Sequence, residues 1–252
     1  MIEVVNLVKR YGKFTAVDSL SFTVPPGTLY GFLGPNGAGK TTTMRMIAQI
    51  LRPTSGDILI GGVPTWEKPQ VIKQMIGYIP DRPYVYDKLT GAEFVRFVAA
   101  LYGQEGRTVE RRMNELLEVF ELTPWRDELT ESYSHGMRQK LIIASAFAHR
   151  PEVIVVDEPL VGLDPKSART LKDLFREYVG RGGTVLMSTH TLEIAEGMCD
   201  RIAIIQRGQL LAEGTMAELR AQSASGDESL EALFLRLTGG IRETTMDALF
   251  DE

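Results

Sequence analysis

Residues 34–41 read Gly34-Pro35-Asn36-Gly37-Ala38-Gly39-Lys40-Thr41, the spacing G-x-x-x-x-G-K-[ST]. Phosphate oxygens need several donors converging on them, and a glycine-rich backbone can turn its N–H groups inward without Cβ clashes. Lys40 supplies a mobile positive charge for the outer phosphates of a nucleotide, and the Thr41 hydroxyl suits Mg²⁺. A second group, Asp157-Glu158-Pro159, follows the apolar run Val153-Ile154-Val155-Val156. Burying two acids without a partner is costly. A Mg²⁺-nucleotide resolves the cost if Asp157 holds the ion, directly or through water, while Glu158 orients or deprotonates an attacking water. The alternative is a pair of solvated acids at a strand end. His190 comes after Ser188-Thr189 at the end of the next apolar run. It emerges either as a structural histidine or as a contact to the terminal phosphate.

A third group, Ser132-Tyr133-Ser134-His135-Gly136-Met137-Arg138-Gln139, precedes the apolar stretch Leu141 to Phe147. Polar residues and glycine opening a helix make another anion site, although the same residues suit an ordinary capping turn. One triphosphate needs one such site. A second implies a nucleotide on another copy, and hence a dimer with nucleotide at its seam.

Elements must position these groups. Leu29 to Leu33 reads as a strand, and Met44, Ile47, Ala48 and Leu51 recur with helical period, so the glycine loop lies between strand and helix. Met44 and Met46 read as core filling. The unalternating run Val153 to Val156 suits a parallel strand covered on both faces. A helix carrying Leu171, Leu174, Phe175 and Tyr178 leads to the strand Thr184 to Met187, which is α/β order with parallel strands. Helical spacing returns from about Gly91 to Leu122, in Phe94, Val98 and Leu101 and again in Met113, Leu116, Leu117 and Phe120. Arg207-Gly208 between two β-rich runs signals a hairpin. Ser223 to Asp227 reads as a local linker, followed by the stripe Leu230, Leu233, Phe234 and Leu237, a core or partner surface.

Composition narrows the function classes. With 252 residues, 44% hydrophobic and 24% charged, the chain is globular in type and allows one large domain or a core with a subdomain. A net charge of −5 argues against a dedicated nucleic-acid binder, and no nucleic-acid partner is expected. Its apolar runs are far shorter than the about 20 residues of a spanning helix, and the N-terminal residues lack signal-peptide order. Cys199, the single cysteine, fits a reducing cytosol and reads as a small buried hydrophobe.

From Tyr11 to about Gly214 the chain resembles the ATP-binding cassette ATPases, most of all the separate nucleotide-binding subunits of bacterial ABC exporters. The landmarks, in order, are Tyr11 in KRYGKFTAVD, GPNGAGKTT at 34–42, YSHGMRQ at 133–139, VIVVDEP at 153–159, GLDP at 162–165 and STH at 188–190. The resemblance implies an α/β fold: a P-loop NTPase (RecA-like) core with an antiparallel β subdomain and a helical signalling subdomain. It places an ATPase domain at 1–215, the helical part at about 88–150, and a short helical tail at 216–252. It implies ATP and Mg²⁺ as cofactors, with Tyr11 stacked on adenine and the loop from Gly34 and Asn36 through Gly37, Ala38, Gly39, Lys40, Thr41 and Thr42 around the phosphates. Asp157 then serves Mg²⁺ with Thr41, Glu158 is the base, and His190 meets the γ-phosphate. Ser134 and Gly136 reach the opposite subunit's nucleotide, and Asp164 lies at the seam.

Three positions depart from the family pattern. Asp81 stands where Gln is usual, close enough to approach Mg²⁺ through water; His135 replaces a Gly and Met137 a Gln. The implied partners are a membrane-spanning permease subunit and a second ATPase chain, in a homodimer or heterodimer. A cytoplasmic placement, peripheral on the inner face of the membrane, follows. The permease is expected to dock on the helical part and on Asp81 to Lys88, and the short tail past Gly214 favours export. A soluble cassette acting on ribosomes or DNA is the alternative, though the coiled-coil insertions and cysteine clusters common in that class are missing. A monomeric P-loop kinase leaves Ser134 and GLDP unexplained.

Overall fold

The computed structural model describes residues 2–221 and 229–239. In chain order the elements are β1 (Ile2–Tyr11), β2 (Phe14–Val24), β3 (Leu29–Leu33), α1 (Lys40–Ile47), β4 (Ser55–Ile60), β5 (Val63–Pro64), α2 (Pro69–Met75) and β6 (Ile76–Ile79). Then follow α3 (Gly91–Leu101), α4 (Arg107–Val119), α5 (His135–Ala148), β7 (Val153–Asp157), α6 (Pro165–Gly180), β8 (Thr184–Thr189) and α7 (Leu192–Met198). The hairpin β9 (Arg201–Gln206) and β10 (Gln209–Gly214) leads to α8 (Met216–Ala221) and α9 (Leu230–Thr238).

Two sheets organise the chain. A six-stranded sheet has the order β10-β9-β3-β8-β7-β6, parallel except for β10. Its central strands β3, β7 and β8 are buried at every residue, which is why they read as unbroken apolar runs without alternation. A four-stranded antiparallel sheet, β2-β1-β4-β5, covers one face together with α1, sealing a core that includes Phe22, Tyr30, Phe32, Met44, Met46 and Ile47. On the other face α3 to α7 bury a second core around Phe94, Met113, Leu117, Leu141, Phe147, Leu171 and Phe175. Each core takes one face of the parallel sheet, so the strand ends between them are held from both sides.

Local chemistry sets the boundaries. Thr90 caps α3 in a reciprocal box with Glu93, its hydroxyl accepting from the Glu93 N–H at 3.2 Å while the Glu93 carboxylate accepts from the Thr90 N–H at 2.8 Å. Asp164 caps α6 ahead of Pro165, which suits the first helical position. Helix α1 is shorter than its apolar spacing predicts: it stops at Ile47, and Gln49 turns left-handed with φ 58°, so Leu51 packs on the core from outside the helix. The linker expected at Ser223 to Asp227 lies outside the described residues. Helix α9 buries Leu230 and Leu233 in the same core as α7 and α8, with Phe234 and Leu237 partly covered. Cys199 is buried against Gly31, where a Cβ would lie 2.7 Å from its sulfur, and burial pushes its thiol up to about 12. No described helix is long and apolar enough to cross a membrane.

Candidate nucleotide site

The carboxyl ends of β3, β7 and β8 deliver three groups to one edge of the parallel sheet, the edge where α/β sheets bind ligands. From β3 the chain enters the glycine loop. A Cβ on Gly34 would meet the Ile205 carbonyl at 2.6 Å, and Gly39, at φ +105°, would meet the Ala16 carbonyl at the same distance. The loop is therefore pressed onto its neighbours and has room only for glycine at these two places. Gly39 opens α1, whose first N–H groups carry the positive end of the helix dipole. Asn36, Gly37, Ala38, Gly39, Lys40, Thr41 and Thr42 line one cavity of about 350 Å³ with Phe14, Ala16, Asp81, Glu158 and His190.

Lys40 is 7% exposed and donates to the Gly34 carbonyl at 2.7 Å and the Pro35 carbonyl at 3.3 Å, with Glu158 Oε1 3.7 Å away. Burial pulls its ammonium below the ordinary lysine range, and Glu158 and Asp157 oppose the drop. Strand β7 ends on Asp157, which is wholly buried; its Oδ1 accepts from the Ser188 hydroxyl, and Oδ2 has no hydrogen-bond partner. Burial pushes this carboxyl up, the hydroxyls of Ser188 and Thr41 pull it back, and the negative charges of Asp81 and Glu158 add to the rise. Glu158 has a left-handed backbone, φ 50°, uncommon for a residue with a side chain. Its N–H donates to both the carbonyl and the hydroxyl of Ser188, each at 3.2 Å, which holds that conformation. His190, half exposed at the end of β8, donates from Nδ1 to Glu158 Oε1 at 2.8 Å.

The orphaned Asp157 Oδ2, the Thr41 hydroxyl and the nearby Asp81 fit a cation, which would remove the charge crowding around Asp157. No cage of three or more His, Cys, Asp or Glu exists among the described residues. That donor set suits Mg²⁺, which binds through one or two carboxylates plus phosphate oxygens and water. Asp81 also lies 3.8 Å from the Arg45 guanidinium.

Two sequence-derived groups stand apart. Tyr11 is half exposed with the Lys9 ammonium 5.2 Å from its ring centre, and the aromatic ring lining the cavity is Phe14, its cross-strand partner in the β1-β2 pairing. Ser134 caps α5, accepting from the Met137 N–H at 3.3 Å, and neither it nor Gly136 lines the loop's cavity. Sequence reasoning gave Ser188 no role of its own. Its signal was available, since it precedes Thr189-His190 and pairs with Asp157 across β7 and β8.

The ABC transporter family model matches residues 17–161, more than half of the chain. This chain belongs to the ABC transporter family. The cassette is 36% identical to the probable multidrug ABC transporter ATP-binding protein YbhF of Escherichia coli (strain K12), over 94% of its own length and 41% of that relative's. It therefore spans about two fifths of that protein. It is also 36% identical to the ABC-type transporter ATP-binding protein EcsA of Bacillus subtilis (strain 168), covering 94% of the cassette and 96% of the relative. Among solved structures, one described as the ATP binding subunit of an ABC transporter superposes with a TM-score of 0.90 at 34% identity, covering 94% of the cassette and 99% of that chain. The fold is that of an ABC ATPase: a P-loop core, an antiparallel sheet and a helical arm.

Proposed function

We propose that the chain is the ATP-hydrolysing subunit of a membrane exporter and works as a pair of cassettes sharing two ATP molecules. The observation that carries this is the split arrangement of the site. Lys40, Thr41, Glu158 and His190 converge on one cavity, with Asp157 buried next to Glu158 at the end of β7, while Ser134 and Gly136, which open α5, lie outside it. A helix start that lies outside its own chain's phosphate cavity is placed to meet another copy's phosphates.

In this reading the loop N–H groups bind the phosphates, and Lys40 leaves the Gly34 and Pro35 carbonyls to neutralise the outer ones. Tyr11 and Phe14 border the base. Thr41 and Asp157, with Asp81 through water, would hold Mg²⁺, which would supply positive charge against the phosphates. Glu158, oriented by His190, accepts a proton from the attacking water, and His190 also meets the γ-phosphate. Since Ser134 and Gly136 contact only the γ-phosphate, ATP favours the closed pair and ADP does not, which gives ligand-driven switching its differential contact.

Residues 1–215 form the ATPase unit, with 88–150 as its arm. Its partner is a membrane-spanning permease that holds the cassette at the inner face of the membrane. Tyr84, Tyr86, Phe97 and Leu101, exposed on α3 and the segment before it, give that permease an apolar landing surface. The multidrug designation of YbhF supports export.

The test is the light-scattering mass of Glu158→Gln protein with MgATP and with MgADP. A monomer that doubles with ATP alone is expected. A mass unchanged by ATP would overturn the shared-nucleotide pair for this chain by itself.

A further inference from the structure

The start of α5 is joined to the turn between Glu158 and α6 by a contact between His135 and Gly162, neither of which the chemistry above uses. Gly162 has φ +80°, a conformation that side chains resist. A Cβ there would also lie 2.7 Å from His135 Cδ2 and 2.8 Å from Nε2. The imidazole thus fills the space that glycine leaves open. The next residue closes on the same turn, since a Cβ at Gly136 would approach the Gly162 carbonyl oxygen at 3.3 Å. One turn along α5, Lys140 Nζ is 3.8 Å from Asp164 Oδ2 and the lysine is only 14% exposed. Asp164 is itself fixed, accepting from the Ser167 N–H at 2.9 Å and the Ser167 hydroxyl at 2.6 Å.

That turn leads straight back to the base. The Glu158 carbonyl accepts from the Val161 N–H at 3.3 Å, and the Leu160 carbonyl from the Leu163 N–H at 3.3 Å. Residues 158–163 are therefore two overlapping turns, with Glu158 at one end and, at the other, the His135 contact and Asp164, the partner of Lys140.

We infer that His135 is a positioning residue that locks the start of α5 to the Gly162 turn, so that contact of Ser134 and Gly136 with the second copy's nucleotide reaches this chain's own Glu158. It rests on the proposed function, in which those two residues face the other copy. Its consequence is that removing the ring weakens the coupling between the two hydrolysis sites of the pair.

A double-mutant cycle tests it with four proteins: wild type, His135→Gly, Gly162→Ala and the double variant. For each, ATPase rate against ATP concentration, thermal midpoint and binding of a fluorescent ATP analogue are measured. The backbone strain of alanine at φ +80° is common to both backgrounds and cancels in the cycle. The double variant is expected to exceed the product of the single effects by about threefold to tenfold in ATPase rate, because removing the ring opens room for the added methyl. His135→Gly alone is expected to leave analogue binding unchanged and to lower the Hill coefficient, above 1 in wild type, toward 1.

Single effects that simply multiply would overturn the contact, and a Hill coefficient unmoved by His135→Gly, or already 1 in wild type, would overturn the positioning role. If Gly162→Ala does not fold, the Hill coefficient of His135→Gly decides. Failure of Glu158→Gln to dimerise with MgATP would instead remove the underlying function. A pair that forms while the cycle is additive removes only the role of His135.

Discussion

The two regions of this chain proposed to bind anions are built to opposite standards. At the carboxyl edge of the parallel sheet the charged side chains are held by fixed partners: Lys40 by two carbonyls with Glu158 nearby, Asp157 by Ser188 through one oxygen, Glu158 by His190. The start of α5 is exposed at Ser134 and His135 and is held by a capping hydrogen bond, the neighbouring turn and the Arg138 contacts to Glu131 and Asp87. Fixed charges in a buried setting suit chemistry, because little reorganisation is left when charge develops. An exposed helix start suits meeting something that arrives later. In the proposed function the difference assigns the chemistry to one region and the meeting with a partner to the other.

The largest predicted effects break the first region. Glu158→Gln removes the proposed proton acceptor while keeping shape and the backbone bonds to Ser188. ATP hydrolysis should fall by about 10²- to 10⁴-fold with binding retained. Near wild-type turnover would take the base role from Glu158. Lys40→Ala should also abolish measurable hydrolysis, and in addition weaken ATP binding in equilibrium titration, since its charge serves ground and transition states alike. A comparable loss of hydrolysis with unaltered binding would restrict Lys40 to the transition state.

Breaking the second region should look different. Ser134→Ala removes a capping oxygen worth about 1 kcal/mol and, in the proposed pair, a contact to the other copy's γ-phosphate. The expected outcome in the Glu158→Gln background is loss of the MgATP-dependent dimer while one chain still binds ATP with unchanged affinity. Lost single-chain affinity would place Ser134 in its own cavity and end the comparison.

The far end of α5 is anchored on other elements, the start of β6 and the end of α3. His149 caps the helix, donates from Nε2 to the Ile76 carbonyl at 3.0 Å, and stacks on Tyr102 with ring centres 3.7 Å apart. Nδ1 is buried without a partner, so the ring is built to be neutral. Burial pulls its pKa from 6.5 to about 4; the Ile76 carbonyl opposes the drop and the Arg112 charge adds to it. Between those values the unfolded chain binds more protons than the folded one, so stability falls as pH drops through that window. The loss reaches at most about 3 kcal/mol by pH 4. Denaturant unfolding of wild type and His149→Gln across this range checks it. A wild-type slope that persists in the variant would assign the acid loss to other groups.

Most of this arrangement was legible because spacing encodes it. The phosphate loop and Asp157-Glu158 are contiguous, and the uninterrupted apolar run before the acids identifies a strand buried on both faces. What stayed hidden depends on folding distant segments together. His149 has no local pattern, since its partners Ile76 and Tyr102 are 73 and 47 residues away. Likewise His135 stands out in sequence only as a departure from a motif, and its contact with Gly162 exists because α5 runs beside the turn that follows β7. The end of α1 was misread for the opposite reason. Leu51 keeps the helical period although the backbone has already turned at Gln49, and its burial comes from the loop.

The smallest expected effect sharpens what the first region requires. Asp81 is about one third exposed, and its 3.8 Å pairing with Arg45 is worth no more than about 1 kcal/mol in such a setting. Its negative charge also adds to the upward push on Asp157, which must stay ionised to hold a cation. Asp81→Gln keeps an oxygen that can reach a metal-bound water and removes that charge. Steady-state ATPase at saturating MgATP should therefore be preserved or raised, and Mg²⁺ titration at fixed ATP should reach half-activation at an equal or lower concentration. A drop of more than about tenfold, equivalent to 1.36 kcal/mol, would exceed what the Arg45 pairing can supply. Such a drop would make the carboxylate itself a required part of the chemical region, built for this chain's particular metal geometry.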